Sequence, residues 1–435
     1  MTYPGAVRYL LSLLGDMRGA DFGLQRMEAL TQRLGHPQRA YRVVHIAGTN
    51  GKGSTAAMIE AGLRAAGHTT GLYTSPHLMR FNERLRIHGL ECSDEQFAAA
   101  AGEVRAANEW LVAQQGPHAH ATFFESVTAA AFCGFRRAAV EWGVIEVGLG
   151  GRLDATNVVD PEVAVITPIA LDHEAFLGKS GASIAAEKAG ILKAGCQAVF
   201  ASQNEQAAAV LEARAAELGV PVARAGVDWR AENISNQRGC YRFTAHRRAG
   251  GMSFEARLAL AGEHQVENAL VAIAALDGLG VPAPAIAQGL ATVRWPGRLQ
   301  SVGESPEILL DAAHNPAGAR VLASFLARHR RGRRVHLIYG TSRDKAVDEV
   351  AGLLFPCASR VILTRANVAR SASPETLLNM VDHHHDSMLI EPALARALQR
   401  AQREAASGDV IVIAGSVFLV GEALGLLQSV ESMPL

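Results

Sequence analysis

Val43-Val44-His45-Ile46-Ala47-Gly48-Thr49-Asn50-Gly51-Lys52-Gly53-Ser54-Thr55 reads as a buried strand that breaks into a glycine-rich turn and opens a helix. Gly48, Gly51 and Gly53 let the backbone approach an anion, and Lys52 brings a positive charge. The helix expected from Ser54 to Gly67 points free N–H groups at the same spot. A nucleoside triphosphate is the natural occupant. The spacing is not GxxxxGK[ST], because two residues separate Gly48 from Gly51 and Gly53 stands between Lys52 and Ser54. A specialised phosphate loop is implied.

Working outward, apolar runs of strand length recur at Val43 to Ala47, Thr70 to Thr74, Gly143 to Val147, Val163 to Thr167 and Ala198 to Ala201. Helix-length segments separate them, among them Ser54 to Ala66 closed by Gly67 and Ser183 to Lys193 closed by Gly195. This is the rhythm of a parallel α/β sheet covered on both faces. From about Asp228 to Leu260 short polar and aromatic alternations predict antiparallel hairpins, and helical periodicity returns from His264 to Leu279. A second strand series follows Trp295-Pro296-Gly297-Arg298, at Ile308 to Asp311, Val335 to Tyr339, Val361 to Thr364 and Val410 to Ala414. The fold class is therefore α/β. A phosphate-loop domain over 1–296 combines a mostly parallel sheet with a small antiparallel one, and a Rossmann-like domain occupies 297–435. Gly297 is the expected hinge.

The 435 residues are 49% hydrophobic, and 42 Lys and Arg balance 42 Asp and Glu. No basic stripe or arm appears, so nucleic acid is not an expected partner. The cluster Arg328 to Arg334 reads as a solvated helix end. No apolar stretch of membrane length and no leader pattern is present, which places the chain in the cytoplasm with no membrane partner. Five cysteines without CxxC spacing fit reduced thiols. His383-His384-His385 has the look of a metal tract but is read as a polar loop.

Further polar groups sit where strands end, the edge at which open α/β sheets present ligands. Ser75 and His77 follow one strand. Glu146 lies inside an apolar run, where a carboxylate calls for a metal or an arginine. Asp172-His173 follows another strand, and Glu187-Lys188-Ala189-Gly190 lies on a helix. A hydroxyl, a carboxylate and an imidazole from Ser75, Glu146 and His173 would complete a divalent-ion site beside a triphosphate. In the second series Asp311, His314 and Asn315 stand just past a strand, with Pro316 suited to start a helix. Gly415-Ser416 ends the last strand in the same way. Two domains presenting polar strand ends suggest one site between them.

The motifs HIAGTNGKGST (45–55), GLYTSPHLMRFNERLRI (71–87), TFFESVT (122–128), VIEVGLGGRLDATN (144–157), IAAEKAGILK (184–193), GEHQVENALVA (262–272), WPGRLQ (295–300), LLDAAHNPAG (309–318) and IVIAGSVFLVGE (411–422) together resemble the folylpolyglutamate synthase and dihydrofolate synthase group of the Mur ligase superfamily. The resemblance implies an ATP-dependent ligase that joins L-glutamate to the carboxylate of dihydropteroate or of a folate tail through an acyl phosphate. It further implies that Thr49, Asn50, Gly51, Lys52, Gly53 and Ser54, with Asn268, Arg298, Asp311 and His314, hold ATP. Ser75, Glu146 and His173 would serve Mg2+. Lys188 matches a lysine carbamylated in relatives, and Ser416 matches a serine grouped with Asp311 and His314 as catalytic positions. Phe124, Glu125 and Arg152 are assigned to folate, and a potassium ion and a monomeric state also come with the resemblance. Two departures stand out: Ala312 replaces the glycine of the more usual DGAHN, and Lys179 stands where an acidic or amide residue is usual.

Two other readings compete. A nucleotide-switched binding protein would not need Asp311 and His314 aimed at the cleft. A related ligase acting on another carboxylate, such as a peptidoglycan precursor, usually carries a further N-terminal domain, for which the 40 or so residues before the loop leave no room.

Overall fold

A computed structural model describes residues 1–14, 23–172, 178, 180–237, 239–343 and 345–431. The first sheet is built from β1 (Arg42–Ala47), β2 (Thr70–Tyr73), β3 (Leu85–Ile87), β4 (Leu90–Glu91), β5 (Trp142–Glu146), β6 (Val163–Ile166), β7 (Gln197–Phe200) and β8 (Val222–Arg224). Their spatial order is β4-β3-β2-β5-β1-β6-β7-β8. The strands from β2 through β8 in that order run parallel, while β3 and β4 add an antiparallel edge. β1 lies at the centre because Val43, Val44 and Ile46 are β-branched and bury both faces of the pleat. Val44 and Ile46 face a core shared with the helices Lys52–Ala65, His264–Gly278 and Ala283–Thr292. Val43 faces the opposite core, which the helices Tyr3–Ser12, Gln25–Arg33, Asp94–Gln115 and Phe123–Arg137 cover.

The expected hairpins form a three-stranded antiparallel sheet of β9 (Trp229–Gln237), β10 (Cys240–Arg247) and β11 (Ser253–Arg257). The last sheet contains β12 (Gln300–Val302), β13 (Glu307–Asp311), β14 (Val335–Tyr339), β15 (Arg360–Arg365), β16 (Met388–Ala393) and β17 (Val410–Ala414), in the order β12-β13-β17-β14-β15-β16. All but β12 run parallel. β17 is therefore flanked by β13 and β14, and the carboxyl ends of the three strands share one edge.

Three local expectations are revised. The helix expected to reach Lys193 spans Gly181–Ala189. Beyond it the Asn157 side chain donates to the Gly190 carbonyl, and Lys193 donates to the carbonyls of Asn157 and Val159, so the chain turns instead. The arginines from 328 to 334 are more than a solvated helix end. Arg330 and Arg333 both pair with the buried Glu307, and Arg334 pairs with Asp409 at the start of β17. The histidine tract is no loose loop either: a short 3-10 turn over Asp382–His384 sets His383 and His384 against Asp348 of the helix Val347–Leu354. Among the described residues no helix is long and apolar enough to cross a membrane.

Candidate functional site

β1 ends at Ala47, and the next residues form the loop that the sequence singles out. Gly48 has φ +150°, and a Cβ there would lie 1.8 Å from Thr167 Oγ1 at the end of β6. Gly51 has φ +84°, and a Cβ there would lie 2.4 Å from the Asn268 side chain. Both positions require glycine on conformation and on space. Thr49 is pinned by exchanging hydrogen bonds with the backbone of Ala170. Lys52 begins its helix, and its Nζ donates to the Thr49 carbonyl at 3.1 Å. Behind the loop Asn268 donates to Gln265, and Gln265 donates to the buried Ser54 hydroxyl.

The loop forms one wall of a cavity of about 340 Å³. Thr49, Asn50, Gly51, Lys52, Gly53, Ser54, Ser75, Glu146, Lys188, Asn268, Arg298, Asp311 and His314 all line it. Thirteen residues separated by up to 265 positions thus converge, and both sheets contribute through the carboxyl ends of their strands. His173 lies outside the described residues, as does Lys179.

Glu146 ends β5 beside β1 and accepts from the Ser75 backbone N–H at 3.2 Å. Burial pushes its carboxyl up, and the nearby Lys52 charge works against that shift. Lys188 is 3% exposed, and its Nζ donates to the Gly48 carbonyl at 2.7 Å, which fastens the helix Gly181–Ala189 to the phosphate loop. Burial, reinforced by the charge of Lys52, pulls its ammonium down to about 7. At neutral pH a large share of Lys188 is therefore the free amine.

Across the cleft Asp311 accepts from the backbone N–H groups of Leu299 and Ala313, at 2.8 and 2.9 Å. Burial raises its pKa, and the charge of Arg298 opposes the rise. The carboxylate holds the turn 297–299, in which Leu299 has φ +44°, and so places Arg298. Alanine fits at 312: its N–H donates to the Gly297 carbonyl at 3.0 Å, and its φ is not in the left-handed region. His314 sets Nδ1 2.8 Å from the Ala312 carbonyl. A carbonyl only accepts, so Nδ1 carries the proton and Nε2 is bare. Burial, with Lys345 next in effect, pulls this imidazole down to about 4. It is neutral throughout the physiological range.

A cross-cleft clasp was not legible in the sequence. Asp172, past β6, receives Lys345 Nζ at 3.0 Å and Asn315 Nδ2 at 3.2 Å from the second half. Asn315 also donates to Asn50 in the phosphate loop, at 3.0 Å, while its Oδ1 caps the helix Pro316–His329. One available signal is composition, because the chain contains five lysines among its 42 Lys and Arg residues. Three of them, Lys52, Lys188 and Lys345, meet at this cleft. Asn315→Ala is expected to cost about 1 kcal/mol of stability through the lost cap and to lower turnover as well. Asn315→Ser keeps a capping oxygen but no amide to reach Asp172 and Asn50, so it should restore the melting temperature without restoring turnover. Paired unfolding and rate measurements check this.

Four residues expected at the site do not line the cavity. Ser416 accepts from the Phe418 N–H and caps the last helix. Glu125 accepts from the Thr122 N–H and from Arg26. Arg152 is exposed and pairs with Glu187 at 2.8 Å. Phe124 reaches the rim, its ring packed so tightly on the lining residue Gly148 that a Cβ there would fall 2.2 Å from it.

The description "Mur ligase middle domain" matches residues 46–276, and "Mur ligase, glutamate ligase domain" matches 297–417. The dihydrofolate synthase/folylpolyglutamate synthase of Bacillus subtilis is 32% identical over 93% of this chain and 94% of that protein. The chain spans half the length of the probable bifunctional folylpolyglutamate synthase/dihydropteroate synthase of Haloferax volcanii, at 34% identity. Among solved structures, folylpolyglutamate synthase of Mycobacterium tuberculosis complexed with ADP gives a TM-score of 0.91 at 34% identity, covering 98% of this chain and 99% of that one. Escherichia coli FolC in complex with DHPP and ADP gives 0.87 at 32% identity, covering 99% of both.

Proposed function

The chain belongs to the folylpolyglutamate and dihydrofolate synthases of the Mur ligase family, and from that premise we propose that it joins L-glutamate to a pteroyl carboxylate by way of an acyl phosphate. It is an ATP-dependent ligase. The observation that carries the finer reading is the convergence of the phosphate loop, Lys188, Arg298, Asp311 and His314 on one cavity.

A carboxylate does not condense with an amine in water, since its oxygen is a poor leaving group. Transfer of the γ-phosphoryl group of ATP to that oxygen supplies a good one, and ADP departs. Lys52 from the loop and Arg298 from the linker offset charge on the group in flight. The neutral amine of glutamate then attacks the acyl carbon, and collapse of the tetrahedral intermediate breaks the bond to phosphate. Holding both partners in one closed cleft is worth up to roughly 7 to 11 kcal/mol and protects the acyl phosphate from water. The Asp172, Lys345 and Asn315 clasp is suited to that closure.

A bare and neutral His314 Nε2 serves as a hydrogen-bond acceptor rather than as a cationic phosphate anchor. His314→Ala should therefore lower kcat and leave the acid limb of the pH-rate profile in place. A limb near pH 6 to 7 that vanished in the variant would contradict the assignment.

The residues present fit a magnesium ion. Glu146 is a buried carboxylate without a hydrogen-bonded cation among the described residues; it is joined to the Ser75 backbone N–H, and both residues line the cavity with the loop. These two side chains, with His173 assigned by resemblance alone, would hold the ion, which supplies positive charge to the phosphates. Glu146→Gln should raise the Mg2+ concentration for half-maximal activity at least about tenfold, as much as the loss of an outer partner to a metal ligand costs. An unchanged Mg2+ titration would remove Glu146 from the set. Lys188 in its amine form is suited to carbamylation. A potassium requirement rests on the family resemblance alone. We read the enzyme as a cytoplasmic monomer on the family resemblance.

The deciding experiment supplies purified protein with ATP, labelled glutamate and either dihydropteroate or tetrahydrofolate. Glutamate-dependent ADP release with at least one of them is expected. ATP turnover that needed neither would overturn the proposal.

A further inference from the structure

The tract His383-His384-His385 takes no part in the ligase chemistry. Its geometry nevertheless is organised. Asp348 Oδ1 lies 3.1 Å from His383 Nε2 and 2.8 Å from His384 Nε2. The three prospective ligand atoms all lie within 4.8 Å of one another. The two imidazole rings are 4.0 Å apart and inclined by 41°, so each turns a nitrogen to the same carboxylate.

Two neighbours shape the cluster. Asp382 Oδ1 stands 3.6 Å from His383 Nδ1, too far for a hydrogen bond but near enough to add negative charge beside the ring. Gly352 lies one helical turn after Asp348, and a Cβ there would meet the His384 ring at 3.1 Å. Glycine thus leaves the room that the second ring occupies. His385 is turned away, with Nε2 donating to the Ala358 carbonyl and Nδ1 accepting from the Ser387 N–H.

We infer that Asp348, His383 and His384 form a binding site for a divalent transition metal of the zinc class. Two imidazole nitrogens and one carboxylate suit zinc, cobalt or nickel, whereas magnesium prefers an all-oxygen shell. Three protein ligands leave the fourth position of a tetrahedral site to water. Asp348 and His383 are 62% and 60% exposed, which gives the ion direct entry. The site is chemically distinct from the oxygen-rich wall of the catalytic cavity, and it does not depend on the reading of that cavity.

The test uses tag-free full-length protein, stripped with a chelator and titrated with Co2+ in excess Mg2+. Saturable uptake of one equivalent with visible d–d absorption, displaced by Zn2+, is the expected result. The His383→Ala/His384→Ala double variant should lose the absorption. Asp348→Asn should weaken binding at least tenfold. Zn2+ should raise the melting temperature of the parent but not of the double variant. Equal Co2+ affinity and absorption in parent and double variant, or no saturable uptake by the parent, would overturn the assignment.

Discussion

Lys52→Ala is expected to lower kcat by about 10²- to 10³-fold, the scale on which removing one preorganised charge from a transition state is felt. The side chain starts the helix Lys52–Ala65 and reaches back over the loop to the Thr49 carbonyl at 3.1 Å. It therefore stands at the start of that helix on the cavity wall, while the Thr49 and Asn50 N–H groups are held by the Pro168 carbonyl. Lysine there is a compact point charge. Lys52→Arg is accordingly expected to recover less than a tenth of the lost rate, since a planar guanidinium demands a different space. The fold should survive both changes, because the residue is not part of a hydrophobic core. Steady-state and single-turnover kinetics at saturating ATP measure the loss. A kcat within threefold of the parent would show that Lys52 does not act on the transferring group.

The second large effect is at Lys188. Its Nζ is buried, held on the Gly48 carbonyl at 2.7 Å and pulled down to about 7. Lys188→Ala removes both the tether of the phosphate loop and the amine proposed to take up carbon dioxide, and loss of at least about 10²-fold in kcat is expected. If a carbamate is the working form, acetate should rescue part of the activity of the alanine variant. The pH dependence has a definite sign. A lowered ammonium pKa means that the amine, the form that reacts with carbon dioxide, predominates above about pH 7 and falls to roughly a tenth near pH 6. Activity at limiting bicarbonate should consequently rise from pH 6 to pH 8, and the rise should flatten when bicarbonate is saturating. Carbon-13 NMR with labelled bicarbonate provides a direct readout. Full activity in a protein with no carbamate signal would rule out the modification and leave the tether as the role of Lys188.

Much of this site was legible because it lies where apolar strands stop. Val43 to Ala47 ends in glycines and a lysine, Ile308 to Asp311 ends in an acid, and parallel sheets bring such ends to one edge. The glycine requirement at Gly48 and Gly51, inferred from their pattern, has a steric cause in Thr167 and Asn268. Less legible were side chains whose partners come from the other half of the chain. Asp172 stands beside His173 just past a strand, but nothing in its neighbourhood announces Lys345, 173 positions later. Ser416 and Glu125 carry site-like chemistry yet spend their oxygens on helix caps, and local spacing does not separate these uses. Arg152 was drawn from a glycine-rich motif, and the structure turns it to Glu187 on the neighbouring helix. The strands β3, β8 and β16 are hard to read from sequence because they lie at or near a sheet edge, β3 and β8 are only three residues long, and Glu391-Pro392 interrupts the apolar run of β16. The histidine tract has the local sequence of a loop, and its partner, Asp348, lies more than thirty residues upstream.

Everything in the catalytic account turns on an activated carboxyl group, and oxygen tracing examines that step directly. A pteroyl substrate labelled with oxygen-18 in its reacting carboxylate, converted with ATP and glutamate, should deliver one labelled atom to the inorganic phosphate released with each amide formed. Phosphate free of the label, at full conversion, would contradict an acyl phosphate and with it the arrangement of Lys52, Lys188 and Arg298 around the transferring group.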